Sequence, residues 1–351
     1  MTAKKAFYVL LVLTLIISLG LMAGCEEPAP EEEPEEPEEE AVEEEPEEEA
    51  VEELEDIEID VVVGFSAGGS NDLSARYMAE KFADYGIQAN VVNMPGGMGT
   101  EAAYHVSTQD PDSNMFMWAH PLIMLFEPAA GDRGFTIHDF DPVALLASPT
   151  FCIGSKAGAP WEDMDDLIQY IQDNPGEVTL GGQGEGNMMH FIAELILDPD
   201  ELDYTYVGLE GGADVAMNLQ GGHVDVGHLS LAAARPLHQD GDLTVLVNTQ
   251  ILVERDPLMP DIPNVIEFGI DAQEPHPLAL WGPEGTDPAL IERLSDAMSQ
   301  MAEDPELIEN YEGAGMIAHY LDTDDTWDFF MDVEENMIPR YKEWLEEYET
   351  R

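Results

Sequence analysis

The stretch that decides the fold is VVVGFSAGGSNDLSAR, residues 61–76. A run of β-branched residues leads into a glycine-rich turn, and the turn leads into an amphipathic helix that we predict to continue to Tyr85. Free backbone N–H groups and the positive end of the helix dipole point at whatever lies in the turn. Glycine lets a ligand approach the backbone closely. The stretch therefore predicts an anion-binding corner at the end of a strand.

The same stretch of sequence also matches a catalytic motif. Residues 64–68 read G-x-S-x-G, the nucleophile elbow of serine hydrolases, with Ser66 as the nucleophile. That site needs oxyanion donors from an earlier strand loop, but only one strand can precede Ser66, because everything before Ile57 is a tail. It also needs a base, and a sequence cannot show that any candidate reaches Ser66; the candidates are His120, His190 and His228. We therefore favour a binding turn and predict no enzyme, with a tight turn that binds nothing as a further alternative.

The first 25 residues are typical of a lipoprotein signal peptide. Two lysines precede an apolar run over residues 6–22, and two small residues prepare cleavage before Cys25. We predict that a lipid on Cys25 anchors the mature chain to the outer face of a membrane, and a transmembrane anchor is the alternative. Cys152 is the only other cysteine in the sequence, so we expect no disulfide within the mature domain.

Charge excludes one class of partner. The chain has 12 Lys and Arg against 75 Asp and Glu, a formal net charge of −63. Residues 26–56 are nearly all Glu, Pro and Ala, which predicts an extended, disordered tether. The rest still carries about −45, which excludes nucleic acid as a partner, because nucleic acid needs a basic face. Salt screens such self-repulsion, so the charge also predicts a halophilic protein that works in brine.

About 295 residues follow the tether, enough for two domains or one large one. Short apolar runs alternate with helical stretches, which predicts an α/β fold with parallel strands. The predicted strands are 59–63, 89–92, 115–118, 151–154, 179–181, 204–207, 224–227 and 244–247. The predicted helices are 73–85, 164–173, 188–197, 213–220, 289–302 and one long helix over 326–349 that contains Pro339.

Three more glycine-rich turns follow predicted strands, at residues 93–99, 181–187 and 209–214. In open α/β sheets a ligand lies outside the carboxyl ends of the strands. The four turns together therefore indicate a ligand held by backbone amides from two lobes.

Patterns along residues 61–306 resemble the extracytoplasmic solute receptors of tripartite tricarboxylate transporters, often called Bug proteins. The family's opening pattern, P-F-x-x-G-G-x-x-D-x-x-A-R, is similar to residues 64–76, with Gly64 in place of proline. Residues 93–99 resemble N-x-P-G-A-G-G, and residues 184–190 resemble G-x-G-S-x-x-H, with Asn187 in place of serine. Further similar segments follow in order at 140–146, 219–225, 259–269 and 281–288.

The resemblance implies a two-lobed, periplasmic-binding-protein-like (flytrap) α/β fold with two crossover strands, near Phe151 and near 278–281. Lobe one would comprise 57–149 plus 278–351, and lobe two would comprise 150–277. A ligand carboxylate would lie between the first glycine turn and a turn of lobe two, partly through ordered waters. Ligand-binding roles are implied for Phe65, Ser66, Ala67, Gly68, Gly69 and Ser70 in lobe one, and for Gly184, Gly186 and Asn187 in lobe two.

Several polar residues near these turns leave alternatives open. Asp72 is a candidate acceptor for a ligand hydroxyl or ammonium, or it caps the helix start. His190 is interpreted as a core histidine, Glu185 as solvent-exposed or paired with a ligand ammonium, and His120 as a weak candidate at the mouth of the site. No H-x-x-x-H or C-x-x-C spacing indicates a metal site, and no cofactor is predicted.

The predicted function is that of a lipid-anchored extracytoplasmic receptor, periplasmic if an outer membrane exists. It would capture a small carboxylate and deliver it to integral membrane transporter subunits. The alternatives are a receptor of the same fold that signals through a membrane sensor kinase, and a serine hydrolase that uses Ser66. The scarcity of Lys and Arg favours recognition by backbone amides, but several classes of carboxylate fit.

Overall fold

The computed structural model describes residues 56–198 and 201–350, which form two β-sheets with helices packed around them. The predicted signal peptide, Cys25 and all of the tether except Asp56 lie outside the described residues. Within the described ranges, no helix is both long and apolar enough to cross a membrane.

The first sheet has six strands. They are β1 (Ile57–Val63), β2 (Ile87–Asn93), β3 (Met115–Ala119), β4 (Phe140–Pro149), β10 (Leu278–Pro283) and β11 (Met316–Leu321). Their order across the sheet is β11-β4-β10-β3-β1-β2. β1 runs parallel to β2 and β3, whereas β10 is antiparallel to both of its neighbours. We call the part of the chain built around this sheet lobe one.

The second sheet has five strands. They are β5 (Phe151–Lys156), β6 (Thr179–Gln183), β7 (Thr205–Leu209), β8 (Val226–Ser230) and β9 (Leu243–Asn248). Their order is β7-β6-β8-β5-β9, with β6 parallel to β7 and β8, and β5 antiparallel to β8 and β9. We call the part built around this sheet lobe two.

Eleven α-helices complete the described part of the chain. Those before the return to lobe one are α1 (Ser70–Phe82), α2 (Thr100–Ser107), α3 (Glu127–Ala130), α4 (Met164–Asp173), α5 (Met188–Ile196), α6 (Gly212–Gln220) and α7 (Leu231–Asp240). Those after it are α8 (Pro288–Met301), α9 (Pro305–Gly313), α10 (Thr323–Asn336) and α11 (Ile338–Thr350). Capping residues fix where helices begin. For example, α8 begins on Pro288 after Asp287, whose side chain accepts the Ala289 N–H at 3.0 Å.

The chain crosses between the sheets at two places. Thr150 alone separates β4 from β5, and residues 249–277 lead from β9 back to β10. Buried polar side chains tie the two crossings together: Thr150 donates to Asp256, and the Gln250 amide donates to Thr150 at 3.0 Å. The predicted lobe boundaries, 57–149 plus 278–351 and 150–277, stay a proposal, and they agree with the sheet to which each strand belongs.

Aromatic side chains also join the two lobes. Tyr341 of the C-terminal helix lies 5.0 Å from Phe126 of lobe one and 5.4 Å from Phe191 of lobe two, between ring centroids. Trp344 continues the contact at 5.6 Å from Phe191, and its indole N–H donates to Glu194. These rings belong to one apolar cluster that includes buried residues of both lobes.

The predicted elements differ from the structure in specific places. The long helix expected over 326–349 is wrong: the structure has α10 and α11, which meet at Met337. Pro339 explains the break, because its ring lacks an N–H and collides with the carbonyl four residues earlier in a continuous helix. The strand expected at 224–227 is shifted to Val226–Ser230. Six further elements were not predicted from the sequence: β4, β11, α2, α3, α7 and α9.

Gly64 is required by a close backbone approach at the end of β1. A Cβ added there would lie 2.6 Å from the Cα of Gly99. We expect Gly64→Ala to lower the free energy of unfolding by about 1–3 kcal/mol, as overpacking does in well-packed interiors. Chemical denaturation of the full-length chain measures this change. Gly131→Ala is the matched control, because nothing lies within 4 Å of its added Cβ, and equal losses in the two variants would contradict the close approach.

Candidate functional site

The carboxylate of Asp72 supports the turn between β1 and α1. Asp72 is 1% exposed and accepts hydrogen bonds from the Gly68 N–H at 2.8 Å and from the Asn93 amide at 2.8 Å. Arg76, one helical turn later, binds both carboxylate oxygens at 2.9 Å. Asn93 also donates to the Phe65 carbonyl at 3.0 Å. Asp72 therefore supports the shape of the turn with four protein donors.

The pKa of Asp72 reflects this environment. Burial on its own would raise the pKa of the carboxyl, but the hydrogen bonds from Arg76, the Gly68 amide and Asn93 outweigh burial and hold the pKa below its usual value. The group is therefore ionised at neutral pH. Its predicted contact with a ligand stays a prediction, and its role in the structure is to position Gly68, which has φ +88°.

A cavity of about 390 Å³ lies between the two lobes. Lobe one and the residues around the crossings supply Phe65, Gly69, Ser70, Asn71, Met98, His120, Leu122, Phe151 and His276, and lobe two supplies Gln183, Gly184, Asn187, Met189 and Glu210. We call this cavity the cleft. It contains the start of α1 on one wall and the turn before α5 on the other.

Five of the ten predicted ligand residues line the cleft: Phe65, Gly69, Ser70, Gly184 and Asn187. The others lie beside it. Ser66, Ala67 and Gly68 form the exposed tip of the turn, Asp72 lies beneath the turn, and Gly186 faces the C-terminal helix, where an added Cβ would lie 3.0 Å from the Tyr348 ring. The predicted ligand contacts themselves remain predictions.

The lobe-two wall is organised by Asn187 and His190. The Asn187 side chain accepts the His190 N–H at 3.0 Å and so caps α5, while its amide donates to the Gln183 carbonyl at 3.2 Å. His190 is buried and stacks on Tyr206 at 3.6 Å, and its Nδ1 accepts the Gly186 N–H at 3.2 Å. This agrees with the interpretation of His190 as a core histidine. Glu185 is exposed.

Part of the cleft wall was not predicted from the sequence. His276 lies 4.2 Å from His120 and 4.9 Å from Phe151, between ring centroids. It stands between two prolines ahead of β10, far from His120 in the chain, so spacing could not bring the two histidines together. The only sequence signal for the unpredicted part of the cleft wall was the glycine-rich composition of the segments around Gln183 and Glu210.

Behind this wall, Glu274 is bound by two histidines. It is 3.0 Å from His228 Nε2 and 3.1 Å from His276 Nδ1, and all three side chains are buried. Burial would raise the pKa of Glu274, but the charge and hydrogen bond of His228 and the contacts of His276 lower it overall. Burial and the neighbouring His276 lower the pKa of His120 well below its usual value, so His120 is neutral at physiological pH.

The cleft carries little positive charge. Among the described residues that line it, Glu210 is the one carboxylate, and none is Lys or Arg. An adjoining cavity of about 360 Å³, which shares Gly184 and Glu210, adds Glu185 and Asp214. Within 56–198 and 201–350, no group of three His, Cys, Asp or Glu side chains is placed to hold a metal ion. An anion in the cleft therefore meets no Lys or Arg side chain among the described lining residues.

The sequence pattern of the tripartite tricarboxylate transporter family receptors matches residues 74–342, and the chain belongs to this family. It is a family of solute-binding receptors, not of enzymes, so the chain is not a serine hydrolase. A curated relative is "UPF0065 protein in gbd 5'region" of Cupriavidus necator, 26% identical over 76% of this chain and 80% of the relative.

Solved structures have the same fold. A TctC solute binding protein from Polaromonas has a TM-score of 0.72 at 23% identity, covering 83% of this chain and 98% of that one. A protein of R. palustris, solved with adipate, has a TM-score of 0.68 at 22% identity, covering 82% and 97%. The chain thus has the two-lobed flytrap fold, as predicted, and the resemblance to the receptor family is confirmed.

The buried network around Asp72 predicts a pH-dependent contribution to stability. We expect Asp72→Asn to lower the free energy of unfolding at pH 7 by about 2 kcal/mol, because hydrogen bonds to a charged group are lost. The folded-state pKa lies below the unfolded one, so the contribution is present above the unfolded pKa and disappears as pH falls through the folded pKa. The difference between wild type and variant should therefore shrink below about pH 4.

Chemical denaturation at a series of pH values measures this difference. The matched control is Asp84→Asn, whose exposed carboxylate lies 3.9 Å from Lys81 and should contribute less than about 0.5 kcal/mol. A difference for Asp72→Asn that stays constant down to acid pH would contradict the argument.

Proposed function

We propose that this receptor captures a small carboxylate in the cleft and delivers it to integral membrane transporter subunits. The observation that carries the proposal is a cavity lined from two lobes, with the start of α1 on one wall and the turn of Gly184 on the other. Backbone amides and the positive end of the α1 dipole favour an anion there. The R. palustris protein of the same fold was solved with adipate, which is a dicarboxylate.

The second part of the proposal concerns how the receptor is attached to the membrane and the salt concentration in which it works. The receptor works outside the cytoplasm, attached through a lipid on Cys25, with residues 26–56 as a tether. Support comes from the sequence alone, from the small residues before Cys25 and the acidic composition that follows it. The net charge of −63 supports a salt-rich environment.

A thermal-shift screen of the full-length chain in about 1 M NaCl tests the ligand class. The screen contains mono-, di- and tricarboxylates and amino acids. A ligand at one hundred times its dissociation constant should stabilise the folded chain by about 2.7 kcal/mol. Ser70→Trp should weaken that ligand at least about tenfold, because Ser70 lines the cleft and the indole would fill it.

Ser113→Trp, at an exposed position away from the cleft, is the control and should bind as the wild type does. No stabilisation by any carboxylate would reject the proposed function. Stabilisation that survives in Ser70→Trp would reject the cleft as the site.

The charge predicts a dependence of stability on salt. We expect the melting temperature of the full-length chain to rise between about 0.1 M and 1 M NaCl, because the Debye length falls from about 10 Å to about 3 Å. Sucrose is the control, since it does not screen charge. A melting temperature that is unchanged by NaCl, or raised as much by sucrose, would refute the proposed role of salt.

A further inference from the structure

Two donor atoms in the cleft lack hydrogen-bond partners among the described residues. They are His120 Nδ1 and Gln183 Nε2, each buried, and their side chains line the same cavity from different lobes. His120 is 1% exposed. Buried polar groups in native proteins are nearly always paired, and leaving one unpaired costs about 1–3 kcal/mol. The two donors therefore need an explanation that the fold does not supply.

The hydrogen bonding of His120 identifies its free atom as a donor. The Asn71 amide nitrogen lies 3.4 Å from His120 Nε2, so Nε2 accepts and the neutral ring carries its proton on Nδ1. The neutral state follows from burial and from the adjacent His276, which together lower the pKa of His120. His120 Nδ1–H and the Gln183 amide thus present two donors, and both need an acceptor.

We propose that His120 and Gln183 determine ligand specificity by donating to a second oxygen of the ligand, one that is uncharged. The inference rests on the proposed function and names its ligand class: a monocarboxylate with a hydroxyl or carbonyl oxygen. The carboxylate meets the turn at the start of α1. The second oxygen lies between the lobes, so binding it draws His120 of lobe one and Gln183 of lobe two together.

The charge of the cleft excludes a second carboxylate from this position. Glu210 lines the cleft, and Glu185 and Asp214 line the cavity that adjoins it. No Lys or Arg among the described lining residues offsets them. A second negative group would be desolvated beside like charge, whereas a hydroxyl or carbonyl satisfies both donors without this cost.

Five acids of one chain length test the inference by isothermal titration calorimetry on the full-length chain in about 1 M NaCl. They are pentanoate, its 2-, 3- and 4-hydroxy derivatives, and glutarate. We expect at least one hydroxy acid to bind about tenfold more tightly than pentanoate, since a site that donates to a ligand oxygen rejects the analogue that lacks it. Glutarate should gain nothing over pentanoate.

Variants test whether His120 and Gln183 cause the preference for hydroxy acids. His120→Phe and Gln183→Leu should each bring the ratio of hydroxy-acid affinity to pentanoate affinity, both measured in the same variant, close to one, while His120→Asn, which keeps an N–H donor, should retain part of the preference. His223→Phe and Gln220→Leu are matched controls outside the cleft, with no expected change. Glu210→Gln should strengthen glutarate binding several-fold. Circular dichroism establishes that each variant is folded.

The outcomes separate this inference from the proposed function. If carboxylates bind but hydroxy acids have no advantage, or keep their full advantage in either His120→Phe or Gln183→Leu, the inference is wrong and the receptor function stands. The same holds if the screen finds carboxylates and none of the five-carbon hydroxy acids binds. If no carboxylate binds at all, the proposed function fails and the inference fails with it.

Discussion

The structure depends on the double crossing of the chain between its two sheets. One residue, Thr150, separates β4 of lobe one from β5, the first strand of lobe two, and a longer segment returns the chain to lobe one. Buried hydrogen bonds from Thr150 and Gln250 keep the crossings together, and an aromatic cluster around Tyr341 packs on both lobes. The connected strands are neighbours in each sheet, β4 beside β10 and β5 beside β9, and the cleft lies between the two lobes.

The walls of the cleft are built by carboxylates and histidines that support the backbone. Asp72 positions the first glycine turn through Gly68, and His190 positions the second through Gly186. Neither side chain lines the cleft. Asp72 and His190 thus act through the shape of the turns, whereas Ser70, Asn187 and Glu210 are polar side chains that line the cavity itself.

This arrangement suits a chain with so few basic residues. The chain as a whole has a formal net charge of −63, and no lysine or arginine lines the cleft among the described residues. Amide donors and a helix dipole attract a carboxylate without a positive side chain. His120, which burial and the neighbouring His276 keep neutral, adds a donor to the cleft, and the contact with Glu274 positions His276.

The sequence by itself determined the local elements and the first turn. The valine run of β1 and the glycines after it predict a strand and an anion-binding turn, because β-branched residues and glycine act on the backbone locally. The helix predicted over 164–173 coincides with α4, and the structure shows that Asp163 caps it. Two strands and four helices were not predicted from the sequence. Hydrophobic periodicity alone predicts one helix over 326–349, which Pro339 divides. The spacing of apolar residues does not show how residues pack or clash.

Only the tertiary structure decided which residues share the cleft. His120, Gln183, Glu210 and His276 come from distant parts of the chain and meet because the crossings bring the two lobes together. The family patterns marked Ser66, Ala67 and Gly186 as well, yet these lie outside the cavity wall. A sequence motif indicates that a turn is present. The packing of the other lobe against that turn decides which atoms of the turn face a ligand.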